Sequence, residues 1–191
     1  MKSYKAPGLD NITGAIIKIF SHKAIVMITK IINGILLTNY FPCKWKIAKV
    51  TPILKSDKNM TIPSGYRPIS LLPYLSKLTE KIIKNRLNNH IYANKLIAND
   101  QFGFRTNHST VDQLARLVNE ITSNFNNRKH TGSVFLDLEK AFDNVWHKGL
   151  IYKLIKLNFP PYLILLIESY LKDRKMVVEI NVLIQMLMMY I

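Results

Sequence analysis

The stretch Val134-Phe135-Leu136-Asp137-Leu138-Glu139-Lys140-Ala141-Phe142-Asp143 constrains this chain more than any other. Four apolar residues surround one carboxylate, Asp137, and Thr131-Gly132 marks a turn just before them. A short, apolar, turn-bounded run such as Val134 to Leu138 reads as a buried strand. An ionised Asp inside a buried strand is costly unless a cation or several hydrogen bonds compensate it. A divalent metal at the strand end would do so, since Mg²⁺ is held by one or two carboxylates together with substrate phosphates. From Lys140 onward the pattern changes, and Val145, Leu150, Ile151, Leu154, Ile155 and Leu157 suit a helix. Asp137 therefore falls where a strand hands over to a turn and a helix, an address at which functional groups collect. The competing reading of Asp137 is a turn or helix-capping carboxylate.

The rest of the chain alternates helices and short strands. Ala6-Pro7-Gly8-Leu9-Asp10 is a turn signal with Asp10 placed to cap the first helix, and Ile12–Phe20 and Lys23–Leu37 read as helices. Lys46 to Leu54 and Tyr66 to Leu72 read as two strands joined by a turn over 55–59, forming a basic hairpin: Lys44, Lys46, Lys49, Lys55, Lys58 and Arg67 against Asp57 alone. Two readings of that hairpin stay open on the residues: an arm that neutralises a phosphate chain, or an edge hairpin whose lysines discourage aggregation. Pro73 to Ile91 is an amphipathic helix on Leu75, Leu78, Ile82, Leu87 and Ile91, with Glu80 and Lys84 at pairing distance and Lys77, Lys81, Lys84 and Arg86 on the opposite face. Gly103, between Phe102 and Phe104, suggests a tight bend, and the two aromatics read as core. Ser109-Thr110-Val111-Asp112 resembles a capping box opening a helix to about Phe125. Asn158-Phe159-Pro160-Pro161 breaks the chain, Tyr162 to Leu171 is a helix, Arg174 to Ile180 a strand, and Val182 to Ile191 an apolar tail.

Charge narrows the partner. Residues 1–100 hold 16 Lys/Arg against 4 Asp/Glu, whereas residues 101–191 hold 11 against 8. A basic half suits a polyanion, nucleic acid before an acidic membrane surface. The single cysteine, Cys43, excludes an internal disulfide or a cysteine zinc cluster. The scattered histidines have no metal-ligand spacing. Neither Ile25–Leu37 nor Val182–Ile191 is long enough to span a bilayer. The expectation is a soluble intracellular protein of the cytoplasm or nucleus.

Phe135-Leu136-Asp137-Leu138, followed by Lys140-Ala141-Phe142-Asp143 and Val145-Trp146-His147, resembles the first palm motif of reverse transcriptases, in the form found in jockey-like non-LTR retrotransposons. Three further strings resemble the same family in the right order: the opening Pro-Gly-x-Asp turn, Pro52-Ile53-Leu54-Lys55 with Tyr66-Arg67-Pro68-Ile69-Ser70-Leu71, and Gln101-x-Gly103-Phe104-Arg105 with Ser109, Thr110, Gln113 and Leu114. The resemblance implies an α+β chain, a partial right-hand polymerase with fingers plus the first palm strand and helix. Residues 1–45 would be an N-terminal helical part and 46–191 a partial reverse transcriptase domain, fingers over about 46–131 and the start of the palm over about 132–191. It implies RNA-directed DNA polymerase activity with Mg²⁺ or Mn²⁺ on an RNA template, a DNA primer and deoxynucleoside triphosphates. Asp137 would bind the catalytic metals, and Leu138 would lend its backbone carbonyl to one of them. Lys55 and Arg67 would hold the incoming triphosphate, and Phe142 would guard the sugar 2′ position. Arg105, Lys77, Lys81 and Lys84 would lie along nucleic acid.

The resemblance runs from about Ala6 to Ile180. The family's Pro-Gln-Gly segment and its Ala-Asp-Asp hairpin are not found: no Gly follows Gly149 and no two Asp are adjacent. The tail after Ile180 reads as that of a truncated or frameshifted copy. Two metals are needed for in-line nucleotidyl transfer, and one Asp with one carbonyl does not hold both, so this chain alone is expected to be inactive. The alternatives are a non-catalytic nucleic-acid-binding remnant and an unrelated basic helical domain on a membrane surface.

Overall fold

The expected basic hairpin forms. The computed structural model of the chain describes residues 5–56, 61–138, 140–180 and 183–190. Strand β1 (Ile47–Leu54) pairs antiparallel with β2 (Tyr66–Leu71), Ile53 opposite Arg67 and Leu54 opposite Tyr66. Residues 57–60, which carry Asp57 and Lys58, lie outside the described residues. Pro52 and Pro68 face each other in this ladder. Neither can donate a hydrogen bond, which confines proline to sheet edges. The sequence meets that condition, because β2 is an edge strand and the second neighbour of β1 reaches only as far as Val50. That neighbour is β3 (Lys175–Ile180), parallel to β1, and β4 (Leu183–Tyr190) pairs antiparallel with β3 to complete the order β2-β1-β3-β4. The architecture is mixed α and β, as expected.

The chain divides into two compact parts, one made of residues 1–88 and 147–191, the other of residues 89–146. In the first part the helices supply the core. Helix α1 (Gly14–Lys18) is shorter than the periodicity suggested. Asp10 closes its own turn by accepting from the Ile12 amide at 3.2 Å, and Thr13 takes the cap instead. Ser21 then caps a new helix, α2 (His22–Thr38), which ends at Asn39 in the left-handed region that terminates helices. Helix α3 (Tyr74–Ala93) starts after Pro73, and α6 (Pro161–Leu171) starts on Pro161, whose missing N–H is no loss in a first turn. Helix α5 (His147–Lys156) precedes α6.

Ile32, Ile35 and Leu36 of α2, Ile83 of α3, Leu166 of α6 and the loop residue Phe41 form the core, flanked by Trp45, Leu78, Ile82, Leu87 and Tyr170. Phe41 is fully buried, edge-on to Tyr170 at 5.0 Å and to Trp45 at 6.2 Å. The most buried line of α3 is not an apolar one: Ser76 and Thr79 are fully buried, their hydroxyls donating to the Trp45 and Leu75 carbonyls. Small hydroxyl residues there let α3 approach the 43–46 turn closely. The N-terminal segment is also close-packed. A Cβ built on Gly8 would lie 2.5 Å from the Pro73 nitrogen, so only glycine fits there.

The second part has no buried residue among those described. Its helix α4 (Thr110–Asn126) begins with the expected capping box: the Ser109 hydroxyl accepts from the Asp112 amide at 3.2 Å and Asp112 accepts from the Ser109 amide at 2.8 Å. The apolar stripe of α4 is nonetheless exposed at Val111, Leu114, Val118, Ile121 and Phe125. The expectation for Val134–Leu138 is corrected here. It is not a strand and not buried; the segment is irregular, with Leu136 91% exposed. A strand needs a ladder partner and cover for its apolar face, and the four-stranded sheet described above does not include it. The helix expected after Lys140 begins only at His147.

Candidate active site

Lys55 and Arg67 are the residues whose placement follows most directly from local structure. The Lys55 amide donates to the Gly65 carbonyl at 2.8 Å, which closes the hairpin end. Arg67 lies opposite Ile53, and Lys55 is the first residue past β1, two beyond Ile53, so continued alternation puts it on the face of Ile53. Ala48 and Val50, on the other face of β1, are buried. The hairpin therefore carries a Lys and an Arg near its turn end, residue types suited to phosphate oxygens.

Two other lysines of the basic hairpin have structural roles. Lys46 is only 3% exposed, and its ammonium donates to the Lys172 carbonyl at 3.0 Å, where a cation suits the C-terminal end of α6. Lys49 forms an ion pair with Glu179 of β3 at 3.0 Å. On α3, Lys81 and Lys84 are exposed, whereas Lys77 is half-buried and reaches the Ala6 carbonyl at 3.5 Å. Burial, then Lys5, pushes the Lys77 ammonium below its ordinary value. Arg86 lies over the Tyr162 ring at 5.8 Å.

Glu80 does not pair with Lys84 as its spacing suggested. It turns inward and accepts from the Tyr170 hydroxyl at 3.1 Å and the Ser76 hydroxyl at 3.4 Å. Burial raises its carboxyl above the usual range, opposed by Tyr170, Arg174, Ser76 and Lys77. Arg174 lies over the Tyr170 ring at 4.5 Å and donates to its carbonyl, so this network fixes the start of β3. Nothing in the hydropathy pattern marks it; the visible signal is Ser76 and Glu80 at i,i+4.

In the second part, Asp137 and Leu138 are exposed on the irregular segment. Lys140 has φ 49°, and its carbonyl accepts from the amides of Asp143 at 2.9 Å and Asn144 at 3.0 Å, a turn within which Phe142 lies. Phe142 is 80% exposed and touches Phe104 edge-on, with ring centroids 6.1 Å apart. Phe104 is itself exposed, so its reading as core is overturned, while Phe102 is half-buried against the His108 ring. Arg105 donates to the Ala98 carbonyl at 3.3 Å. Lys55, Arg67 and the α3 lysines belong to the first part of the chain; Asp137, Leu138, Phe142 and Arg105 belong to the second.

Among the described residues no group of three or more His, Cys, Asp or Glu is placed to hold a metal ion. The Asp137 carboxylate and the Leu138 carbonyl are oxygen donors of the kind Mg²⁺ takes, but they make up only part of a coordination shell. Among the described residues no helix is long and apolar enough to cross a membrane.

The family described as "Reverse transcriptase (RNA-dependent DNA polymerase)" matches residues 53–186, and the chain belongs to it. The match runs past Ile180, where the motif resemblance was expected to stop. The chain is 44% identical over 177 residues to "Probable RNA-directed DNA polymerase from transposon BS" and 41% identical over 177 residues to "RNA-directed DNA polymerase from mobile element jockey", both of Drosophila melanogaster. Each alignment covers 93% of this chain and 19% of the relative. A more distant relative, "Putative 115 kDa protein in type-1 retrotransposable element R1DM" of the same fly, is 30% identical over 83% of this chain and 15% of its own length. The expected kinship with jockey-like non-LTR elements holds, and the chain spans about a fifth of the length of its jockey and BS relatives.

Proposed function

We propose that this chain is the fingers and the start of the palm of a mobile-element polymerase that adds deoxynucleotides to a DNA primer on an RNA template. Family membership over residues 53–186, which include Lys55, Arg67, Asp137, Leu138 and Phe142, carries the reading. In it the fingers occupy about 46–131 and the palm begins at about 132, after an N-terminal helical part. Lys55 and Arg67 bind the triphosphate of the incoming nucleotide through charge-assisted hydrogen bonds. Asp137 and the Leu138 carbonyl hold Mg²⁺ or Mn²⁺, which when bound stabilises attacking and leaving oxygens. Phe142 floors the sugar pocket and obstructs a 2′-hydroxyl. Arg105, Lys81 and Lys84 lie along nucleic acid, and Lys77, partly engaged with Ala6, contributes less. The protein works inside the cell, in cytoplasm or nucleus.

The exposed, unladdered state of Val134–Leu138 favours one refinement. Asp137 becomes a metal ligand only when further palm strands pair with its segment, and the 191-residue chain alone does not extend a primer. The test compares this chain with a polymerase of the relatives' full length that carries it in the matching place. The expected result is extension by the longer protein, abolished by Asp137→Asn, and none by the chain. Mg²⁺-dependent extension by the chain itself would overturn the refinement. Extension by the longer protein that survives Asp137→Asn would overturn the role of Asp137. RNA binding without extension in either would support the non-catalytic remnant instead.

A further inference from the structure

We propose that Phe104 is a positioning residue for Phe142, and so a determinant of sugar selectivity in the polymerase. The inference rests on the reading of Phe142 as the floor of the sugar pocket and goes one residue deeper. Its first support is conformational. The tight bend expected at Gly103 does form next door, but the left-handed residue is Phe104, at φ 59°, and no described glycine has positive φ. A bulky side chain rarely adopts that conformation, while glycine does so freely. Lys95, Arg128 and Lys140 adopt the same left-handed region, so the turn sets the course of the loop, and what singles out Phe104 is the ring it carries to Phe142.

The second support is the contact itself. The Phe104 and Phe142 rings meet at 6.1 Å and 85°, inside the preferred edge-to-face range. Phe104 is 96% exposed, so the contact is not part of a packed core. What remains is a directional interaction that selects one orientation of the Phe142 ring. The loop holding Phe104 is tied by Arg105 to the Ala98 carbonyl, by the Gln101 amide to the same carbonyl at 3.1 Å, and by the Gln101 side chain to the Gly103 carbonyl at 3.5 Å. A ring free to swing would guard a 2′ position poorly; a ring braced from one side guards it better.

The test uses a hybrid of the relatives' full length with this chain in the matching place, first established to extend a primer. Single-nucleotide kcat/KM is measured for a deoxy- and a ribonucleoside triphosphate opposite the same template base. Phe104→Asn removes the ring and suits the left-handed backbone, so folding is not at stake. The expected result is ribonucleotide use raised roughly two- to tenfold, the range an edge-to-face pair supplies, with deoxynucleotide use retained and Phe104→Tyr restoring the original ratio. Equal loss with both nucleotides would show a merely structural role and overturn the proposal. A raised ribonucleotide rate in Phe142→Val with none in Phe104→Asn would overturn it while leaving the pocket reading intact. No change in Phe142→Val would overturn the pocket reading and this inference with it. On the chain itself, a fluorinated phenylalanine at position 142 reports the contact by ¹⁹F NMR. Its resonance is expected to move in Phe104→Asn, and an unmoved resonance would overturn the brace.

Discussion

The two parts of this chain differ in charge and in burial. Residues 1–88 with 147–191 hold 21 Lys/Arg against 6 Asp/Glu, whereas residues 89–146 hold 6 against 6. The whole formal charge of +15 therefore sits on the first part. The same part contains every buried residue described, while the second exposes Leu114, Phe125, Val134, Leu136 and Trp146. A chain that is 48% hydrophobic thus keeps its core in one part and leaves much of its other apolar surface in water. The basic part has the means to meet a polyanion, and the neutral part carries balanced charge together with exposed apolar and aromatic side chains. Net charge and overall hydropathy, averaged along the sequence, conceal that division.

The largest effect should come from truncating one phenylalanine in each part. Phe41→Ala removes a fully buried ring between Trp45 and Tyr170 and is expected to cost about 3–5 kcal/mol in urea unfolding. Phe125→Ala, on the exposed face of α4, should stay within about 0.5 kcal/mol. A large cost at Phe125 would mean that the stripe is covered in solution and would break the contrast.

Next in size is the response to salt. Lys81→Glu with Lys84→Glu, on the basic part, should weaken single-stranded RNA binding and lower the slope of log affinity against log salt, by about 0.7 for each phosphate no longer neutralised. Arg128→Glu with Lys129→Glu, on the neutral part, should leave both nearly unchanged. Equal losses from the two pairs would show that RNA binding does not follow the charge division.

What the sequence made legible was local. The β1–β2 hairpin, the start of α3, the capping box at Ser109 and the break at Pro160-Pro161 each depend on a few adjacent residues, and all four are found as expected. The irregular course of Val134–Leu138 was not legible, because a strand is defined by a partner elsewhere in the chain. The burial of Lys46 was hidden by its charge, and that of Ser76 and Thr79 by their polarity; helix ends and close helix contacts reward such residues, and hydropathy does not record it. For the candidate site, motif residues could be named, but the brace between Phe104 and Phe142 depends on backbone conformation at Phe104, where the pattern pointed to Gly103.

A smaller effect tests the one well-formed element of the neutral part. Ser109→Ala deletes the acceptor of the capping box and should cost α4 about 1 kcal/mol, seen as lost helicity in far-UV circular dichroism. Hydrogen bonds from Ser109 hold the Asp112 carboxyl below its ordinary value. A depressed carboxylate contributes stability above its unfolded value, about pH 3.9, that is lost as pH falls through the lower folded value. The helicity of α4 should therefore drop on acidification below about pH 4, and less so in Ser109→Ala. A variant as helical and as acid-sensitive as the parent would remove the capping box from the account.

The smallest effect concerns Glu80, in the basic part. Burial raises its carboxyl above the ordinary range, while the Tyr170 and Ser76 hydroxyls and the Arg174 and Lys77 cations oppose the shift without cancelling it. The folded state then binds this proton more tightly than the unfolded chain. Stability is full below the unfolded value of about 4.3 and is lost as pH rises through the raised folded value. Glu80→Gln keeps an oxygen that accepts from Tyr170 and Ser76 but has no proton to lose. Between pH 4 and pH 7 the parent should therefore lose ground to the variant, by about 2 °C or less in Tm. Asp112 titrates below this range and Tyr170, itself raised by burial and by Glu80, above it, so neither contributes to the difference. A Tm difference that stays constant across the range would show that Glu80 is ionised at no net cost, its partners fully compensating its burial. The network at the start of β3 would then be a stabilising ion cluster, and the basic part would hold this inward-turned carboxylate as a counter-charge instead of tolerating it.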